Sequence, residues 1–152
     1  MKVRKVLVPI SGQEADNEAV RLACRLAKPD KGKVFVLFVV EVKRSLPLDV
    51  NMEPEVKRGE GVLAQVERIA EEEDYEVVTS LLQSREVGPA IVDEAAEIAA
   101  DVIIMGVTHK PRLGAPFSLS DTALHVLKNA PCRVLVLREY AAVAATPRQE
   151  AR

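Results

Sequence analysis

The chain has 152 residues, 48% of them hydrophobic and 29% charged, a composition typical of one globular domain of ordinary size. Its formal net charge of −2 and its 3% of aromatic residues argue against the positive field and the stacking surfaces on which general nucleic-acid binders depend. The longest apolar run, residues 34–40, is far shorter than the ~20 residues that cross a bilayer, so we expect no membrane insertion and no nucleic-acid partner.

Continuous apolar runs and helical patterns alternate along the chain. Continuous runs predict buried strands, and apolar residues repeated every three or four positions predict amphipathic helices. The first half of the chain predicts a strand over 5–10, a helix over 14–27, a strand over 34–42 and a loop over 43–61 that leads into a helix ending near 73. The second half predicts a strand over 75–82, a helix over 88–99, a strand over 101–106 and a loop over 107–119. A helix over 120–128, a strand over 132–138 and a frayed tail over 139–152 follow.

This alternation predicts an α/β fold with a parallel sheet covered by helices on both faces. The predicted single domain spans 1–138, and a flexible tail follows it. Such sheets bind ligands beyond the carboxyl ends of their strands, where the strand order reverses. The order of elements alone does not locate that reversal, but Ser11–Gly12 and Gly106 are unusual strand ends.

The amino-terminal segment and the cysteines bear on the compartment. Residues 1–5 are basic and lack the apolar stretch and cleavage site of a secretory signal, which predicts a cytoplasmic location. Cys24 and Cys132 are not spaced as metal ligands, and we expect both to be buried thiols rather than a disulfide.

Clusters of like charge are interpreted as solvated surface. The acidic run 71–74 is expected to be an exposed helix end rather than a metal site, and the pairs Lys43–Arg44 and Lys57–Arg58 are assigned to exposed loops. His109 is interpreted as an exposed loop residue, and His125 has no second ligand at a metal-type spacing.

The segment between the fourth strand and the fourth helix has two interpretations. Free N–H groups at the start of the helix, together with Lys110 and Arg112, would suit an anion such as a phosphate. Alternatively, Ser118 or Ser120 caps the helix and Asp121 complements its dipole, with no ligand involved.

Four segments resemble the universal stress protein family: 5–12, 87–91, 101–106 and 129–136. The resemblance extends over about 3–138. It implies an open sheet of order 3-2-1-4-5, similar to the adenine nucleotide alpha hydrolase fold, with the switch point between strands one and four. Ser11–Gly12 and Gly106 would then face each other across that point.

Many members of this family bind ATP through Gly, two residues, Gly, nine residues, then Gly and Ser or Thr. Here Gly106 matches the first glycine, but His109 stands at the second and Ser120–Asp121 at the final pair, in a loop one residue longer. Ser11 stands where the family commonly has Asp. The chain is therefore identified as a variant with a degenerate glycine motif.

The departures predict weak or absent ATP binding. A side chain at His109 or Ser120 removes the freedom of a glycine. A carboxylate at Asp121, ~4 Å from a phosphate at an effective dielectric constant near 20, would cost on the order of 4 kcal/mol, or about three decades of affinity. Lys110, Arg112 or a divalent cation bound with the nucleotide could offset this repulsion. Gly114 could replace the second glycine, and AMP or adenosine binding stays open.

Eleven residues are candidate ligand contacts. Three of them, Pro9, Val40 and Met105, match the family's adenosine pocket and equally suit core packing. The full set is Pro9, Ser11, Val40, Met105, Gly106, His109, Gly114, Ser118, Ser120, Asp121 and Thr122. No nucleophile with a motif-linked base is visible, which disfavours a dedicated enzyme.

The fifth strand is expected at the edge of the sheet. An exposed apolar edge strand invites pairing, and pairing with its own copy makes an isologous dimer. We therefore expect a homodimer through Cys132–Arg138, centred on 134–136, as the family resemblance also implies.

The leading hypothesis is a non-enzymatic stress-response or signalling dimer with unknown protein partners. An ATP- or AMP-binding sensor and a slow phosphate-transfer or hydrolase enzyme are the alternatives.

Overall fold

The computed structural model describes residues 1–110 and 116–141. The strands are β1 (Lys5–Ile10), β2 (Lys33–Glu41), β3 (Val77–Ser84), β4 (Val102–His109) and β5 (Arg133–Tyr140). The α-helices are α1 (Ala15–Ala27), α2 (Glu53–Glu72), α3 (Val87–Glu97) and α4 (Asp121–Asn129), and a short 3-10 turn, Lys28–Asp30, follows α1. The alternation of strands and helices is as predicted.

The five strands form one parallel sheet of order β3-β2-β1-β4-β5, which confirms the predicted fold and strand order. β1 pairs with β2 along its whole length. It pairs with β4 only through Val6–Val102 and Leu7–Ile103. Beyond these pairs β1 and β4 separate, and a crevice opens at the carboxyl ends of the strands.

Strand alternation divides the core into two layers, because successive side chains point to opposite faces. On one face Val6, Val8 and Val36 pack with apolar residues of α1 and α2. On the other face Leu7 and Leu37 pack with residues of α3 and α4. The helices therefore cover both faces, as predicted.

The predicted ends of β4 and β5 are wrong, because both strands are longer than their apolar runs. β4 continues past Gly106 to His109, and β5 continues past Arg138 to Tyr140, with the parallel ladder intact to the His109–Tyr140 pair. The added residues are held by backbone pairing rather than by burial. The rest of the predicted loop at 111–115 and of the predicted tail at 142–152 lies outside the described residues.

α2 begins at Glu53, so the prediction of a loop as far as residue 61 is wrong. Pro54 suits the first turn of a helix, where its missing N–H costs no bond. Gly59 is a contact point rather than a loop signal. A Cβ there would lie 2.6 Å from the Phe38 ring and 2.7 Å from Leu81. The absence of a side chain lets the helix lie close against β2 and β3.

The acidic end of α2 is exposed at Glu71, Glu72 and Asp74, as predicted, and two of its carboxylates also pair with arginines of α1. Arg25 donates to both carboxylate oxygens of Glu73, at 2.7 and 3.0 Å, and Arg21 donates to Glu72 at 2.9 Å. The Arg25 hydrogen bond is the main cause that lowers the pKa of Glu73. Basic residues of α1 thus balance the carboxyl end of α2. Within the described ranges, no cluster of three acidic, His or Cys residues could hold a metal ion.

The two thiols differ in burial. Cys24 is buried, and burial raises the pKa of its thiol to about 11. Cys132 is only partly buried, so the expectation of two buried thiols is wrong for this residue. Both are free, which agrees with the predicted absence of a disulfide. No helix in the described part of the chain has the length and apolar character needed to cross a membrane.

Candidate functional site

A cavity of about 550 Å³ occupies the crevice where β1 and β4 separate. Its apolar floor comes from the ends of three strands and the start of α3. These residues are Pro9, Ile10, Leu37, Val39, Met105, Val87 and Ile91. Its polar rim comes from the β1–α1 turn, the end of β4 and the start of α4. The uncharged polar residues are Ser11, Gln13, Thr108, Ser118, Ser120 and Thr122. The cavity therefore joins an apolar surface to a rim of hydrogen-bonding groups.

The β1–α1 turn is organised by a buried carboxylate. Gly12 has φ +95°, a conformation that favours glycine, and the turn directs three N–H groups inward. Asp16 Oδ2 accepts all three, from Ser11 at 3.1 Å, Gly12 at 2.7 Å and Gln13 at 3.1 Å. The anion-binding position at this turn is thus filled by a side chain of the protein itself, and its N–H groups are not available to a ligand.

Asp16 is an unusually buried acid, at 2% exposure. Its second oxygen, Oδ1, has no hydrogen-bond partner among the described residues. Burial raises the pKa of the Asp16 carboxyl, although the three N–H bonds and the nearby charge of Arg58 act to lower it. The Asp16 carboxyl therefore supports the turn at a cost in desolvation.

Gln13 bridges the gap between the two separating strands. Its Nε2 donates to the Gly106 carbonyl at 2.9 Å, and its Oε1 accepts the Thr108 N–H at 2.8 Å. Thr108 Oγ1 in turn accepts the Ala15 N–H at 2.9 Å. The carboxamide continues the hydrogen-bond ladder where β1 no longer pairs with β4. The Thr108 N–H is therefore already bonded to Gln13, as the N–H groups of the β1–α1 turn are to Asp16.

Gly106 has a packing role in this junction. A Cβ at Gly106 would lie 2.4 Å from the Ala15 carbonyl oxygen, so only glycine permits this approach of α1 to β4. The residue that matches the first glycine of the family's phosphate motif is therefore needed for the fold whether or not a phosphate is bound.

Ser120 is the helix cap, as one of the two sequence interpretations predicted. Its Oγ accepts the Ala123 N–H at 3.1 Å. Ser118, Ser120 and Thr122 line the cavity, whereas Asp121 is exposed and does not. The expected repulsion between Asp121 and a ligand phosphate therefore loses its geometric basis.

His109 lies at the end of β4 in an aromatic cluster, not in an exposed loop as predicted. Its ring is 5.1 Å from Phe117, edge to face, and 5.1 Å from Tyr140. The Arg138 guanidinium lies over both rings, 5.0 Å from Phe117 and 5.2 Å from Tyr140. This cluster ties the ends of β4 and β5 to the segment before α4 and does not line the cavity.

Val40 also lies away from the cavity. It is buried on the α1–α2 face, while its neighbours Val39 and Glu41 line the crevice. The alternation of the strand explains this, because adjacent residues of β2 point to opposite faces. The structure brings together Pro9, Ser11, Met105, Gly106, Ser118, Ser120 and Thr122, and leaves out Val40, His109 and Asp121. Gly114 lies outside the described residues.

Arg58 is the principal site residue that the sequence interpretation missed, since it had assigned 57–58 to an exposed loop. Its Nη2 donates to the Ser11 carbonyl at 2.9 Å, and its guanidinium lies 5.6 Å from the centre of the Phe38 ring. It lines the cavity, as do Glu41, Gln13 and Thr108. Lys57 points elsewhere and pairs with Glu53 at 3.5 Å. Helical spacing shows that Lys57 and Arg58 face different directions, but only the sheet order shows which one reaches the crevice.

The arrangement suits binding better than catalysis. An apolar floor accepts a flat ring, hydroxyls accept and donate hydrogen bonds, and the guanidinium attracts an anionic group. Neither His109 nor His125 lines the cavity, and Glu41 is the only carboxylate among the described lining residues. A base paired with a nucleophile is therefore not seen in the described part of the site.

Comparison with known proteins agrees with this architecture. The model of the universal stress protein family matches residues 2–138. A universal stress protein of Methanocaldococcus jannaschii is 32% identical over 142 residues, which cover 90% of this chain and 82% of the relative. A universal stress protein of Archaeoglobus fulgidus, solved in complex with dAMP, is similar with a TM-score of 0.70 at 20% identity, covering 90% of this chain and 98% of that one. A universal stress protein solved in complex with cAMP gives a TM-score of 0.66 at 16% identity, with 90% and 98% covered. At these identities the structural likenesses concern the fold.

Proposed function

This chain belongs to the universal stress protein family, and on that premise we propose that it binds an adenine nucleoside monophosphate in the crevice and acts without catalysis. The observation that carries the proposal is the cavity of about 550 Å³ at the topological switch point, with its apolar floor and polar rim. Parallel α/β sheets bind their ligands at this place, and the size suits a small molecule.

The choice of adenine rests on the relatives. One protein of the same fold was solved with dAMP and another with cAMP. In this chain the apolar ends of β1, β2 and β4 offer a surface on which a purine ring could lie. Ser118 lies just before α4, Ser120 caps it and Thr122 lies in its first turn, where helix N–H groups have no intrahelical acceptor.

The preference for one phosphate over three follows from the occupied donors. Asp16 takes the N–H groups of the β1–α1 turn, and Gln13 takes that of Thr108. An outer phosphate beside the β1–α1 turn or the end of β4 would thus meet occupied backbone donors, and only the start of α4 offers free ones. The reason differs from the one predicted at the sequence level, since Asp121 does not face the cavity.

The first experiment is direct. The purified protein is denatured and its supernatant is analysed for nucleotides. The ligand-free protein is then titrated calorimetrically with AMP and ATP, each with and without Mg²⁺. We expect AMP to bind at least about tenfold more tightly than ATP, a difference of about 1.4 kcal/mol. Tighter ATP binding, or the release of phosphate from ATP, would overturn the proposal.

A matched pair of variants tests the location. Val39→Trp fills the cavity, whereas Val78→Trp places the same side chain on an exposed position of β3. We expect Val39→Trp to abolish AMP binding and Val78→Trp to leave it intact, with both proteins folded by circular dichroism. Equal binding by the two variants would place the ligand elsewhere.

A second candidate function is that of a homodimer that acts through protein partners. It is favoured by exposed apolar residues on β5, the edge strand of the described sheet, and on α4: Val136 at 37%, Leu124 at 41% and Leu127 at 44%. The two candidates are compatible, because the crevice and β5 are separate features. The cytoplasmic location stays a prediction.

A further inference from the structure

We propose that Arg58 holds the anionic group of the crevice ligand and thereby makes the site prefer a nucleoside monophosphate to the unphosphorylated nucleoside. This inference rests on the proposed function and names a residue outside the loop that carries the family's glycine pattern. Arg58 comes from α2, on the opposite side of the crevice from the start of α4.

The position of Arg58 is fixed by the packing of α2. Gly59 has no side chain, so this part of the helix lies against Phe38 and Leu81 at distances that would exclude a Cβ. Gly12 is restricted by its φ of +95°, and the position of its missing Cβ lies 2.7 Å from Arg58 Nη2, which places the guanidinium against the β1–α1 turn. Two glycines therefore bring the guanidinium, the Phe38 ring and the β1–α1 turn together at the mouth of the cavity.

The charge of Arg58 is available to a ligand. Arg58 is the only cationic residue among the described residues that line the cavity. In the described part of the chain, no carboxylate oxygen lies within 4.0 Å of its guanidinium nitrogens. Asp16 is close enough to interact electrostatically with Arg58, but its Oδ2 already accepts three N–H groups. The hydrogen bond to Ser11 uses one of the five N–H donors of a guanidinium. The remaining donors can bind a phosphate oxygen.

Arg58 could instead serve only to clamp the β1–α1 turn through the Ser11 carbonyl. The two roles make different predictions. A clamp supports the shape of the whole cavity, so its loss would weaken nucleoside and nucleotide binding equally. A phosphate contact acts on the phosphate alone, so its loss would weaken only the nucleotide.

The experiment compares Arg58→Gln with Lys57→Gln, which removes the same charge from the adjacent, outward-facing position. Adenosine and AMP are titrated into each protein and into the wild type by calorimetry, with the fold checked by circular dichroism. We expect Arg58→Gln to weaken AMP binding about 10- to 100-fold and adenosine binding less than about twofold. Lys57→Gln should change neither, and Arg58→Lys should retain part of the AMP affinity.

The outcomes separate the two proposals. Equal binding of adenosine and AMP by the wild type would leave the nucleotide site standing and overturn the role of Arg58. Equal losses for both ligands in Arg58→Gln would show a clamp and likewise overturn it. If the wild type binds neither ligand, the proposed function itself fails.

Discussion

At the scale of one residue, Asp16 combines a stabilising set of hydrogen bonds with an unfavourable burial of its carboxyl group. The carboxylate accepts three N–H groups and holds the turn that borders the cavity, yet it is 2% exposed and its Oδ1 has no described partner. Burial is the largest influence and raises its pKa above the ordinary value of 3.8. The folded protein therefore binds this proton more tightly than the unfolded chain does.

That difference predicts a pH dependence of stability. Between pH 3.8 and the raised pKa, the folded state carries more proton than the unfolded state, so the contribution of Asp16 is present at low pH and is lost as the pH rises. We expect the free energy of unfolding of the wild type, minus that of Asp16→Asn, to fall as the pH rises from about 4 through the raised pKa. Each unit by which the pKa is raised accounts for about 1.4 kcal/mol.

Urea unfolding across this pH range measures the difference. Asp74→Asn is the control, since it removes a carboxyl from an exposed position at the end of α2. Its difference from the wild type should lack the decline. A difference for Asp16→Asn that rises with pH would mean that the three N–H bonds outweigh burial and that the pKa of Asp16 is lowered instead.

At the scale of an element, α2 contains two glycines whose surroundings are opposite. A Cβ at Gly59 would meet Phe38 and Leu81 at less than 3 Å, whereas a Cβ at Gly61 would meet nothing within 4 Å. We expect Gly61→Ala to stabilise the protein by about 0.5–1 kcal/mol through helix propensity. Gly59→Ala should destabilise it by about 1–3 kcal/mol through overpacking.

Chemical denaturation of both variants checks the pair. Arg58 is adjacent to Gly59, so a shift of α2 at this residue would also move the guanidinium. Gly59→Ala should therefore weaken AMP binding, and Gly61→Ala should not. Stabilisation by both substitutions would show that α2 can move away from the sheet, and it would remove the structural basis for the placement of Arg58.

The same helix marks the limit of what the sequence could predict about elements. β1 was predicted to the residue because its apolar run is bounded by Lys5 and by Ser11–Gly12. The start of α2 was missed because Gly59 and Gly61 are typical of loops, and the sequence does not show the side chains that lie against them in the fold. The ends of β4 and β5 were missed because residues such as Thr108 are held by ladder bonds and by Gln13, contacts that hydrophobicity does not report.

The site was predictable to the extent that it follows from topology. The strand order places Ser11 and Gly106 on opposite sides of the crevice, and both line the cavity. Arg58 was not predictable, because the part of α2 that reaches the crevice depends on how closely Gly59 approaches Phe38. Val40 was misplaced by one residue for a related reason, since a single step along a strand reverses the face.

At the scale of the whole molecule, the question is what covers β5. This strand is at the edge of the described sheet, and Val134 packs inward with the α3–α4 layer. Val136, two residues on, points to the same face and is 37% exposed, and α4, which packs on that face, carries the exposed Leu124 and Leu127. We propose that a second copy pairs with β5 across a two-fold axis, which would complete the ladder and cover these side chains.

Val136→Lys tests this dimer without disturbing the core, which a substitution at Val134 would do. Near a two-fold axis the new lysine meets its own copy, and like charges opposite each other oppose pairing. We expect multi-angle light scattering to give twice 16.6 kDa for the wild type and 16.6 kDa for the variant. Val78→Lys, the same change at an exposed valine of the opposite edge strand β3, should stay a dimer. A monomeric Val78→Lys beside a dimeric Val136→Lys would move the interface to β3, and a monomeric wild type would overturn the proposed dimer.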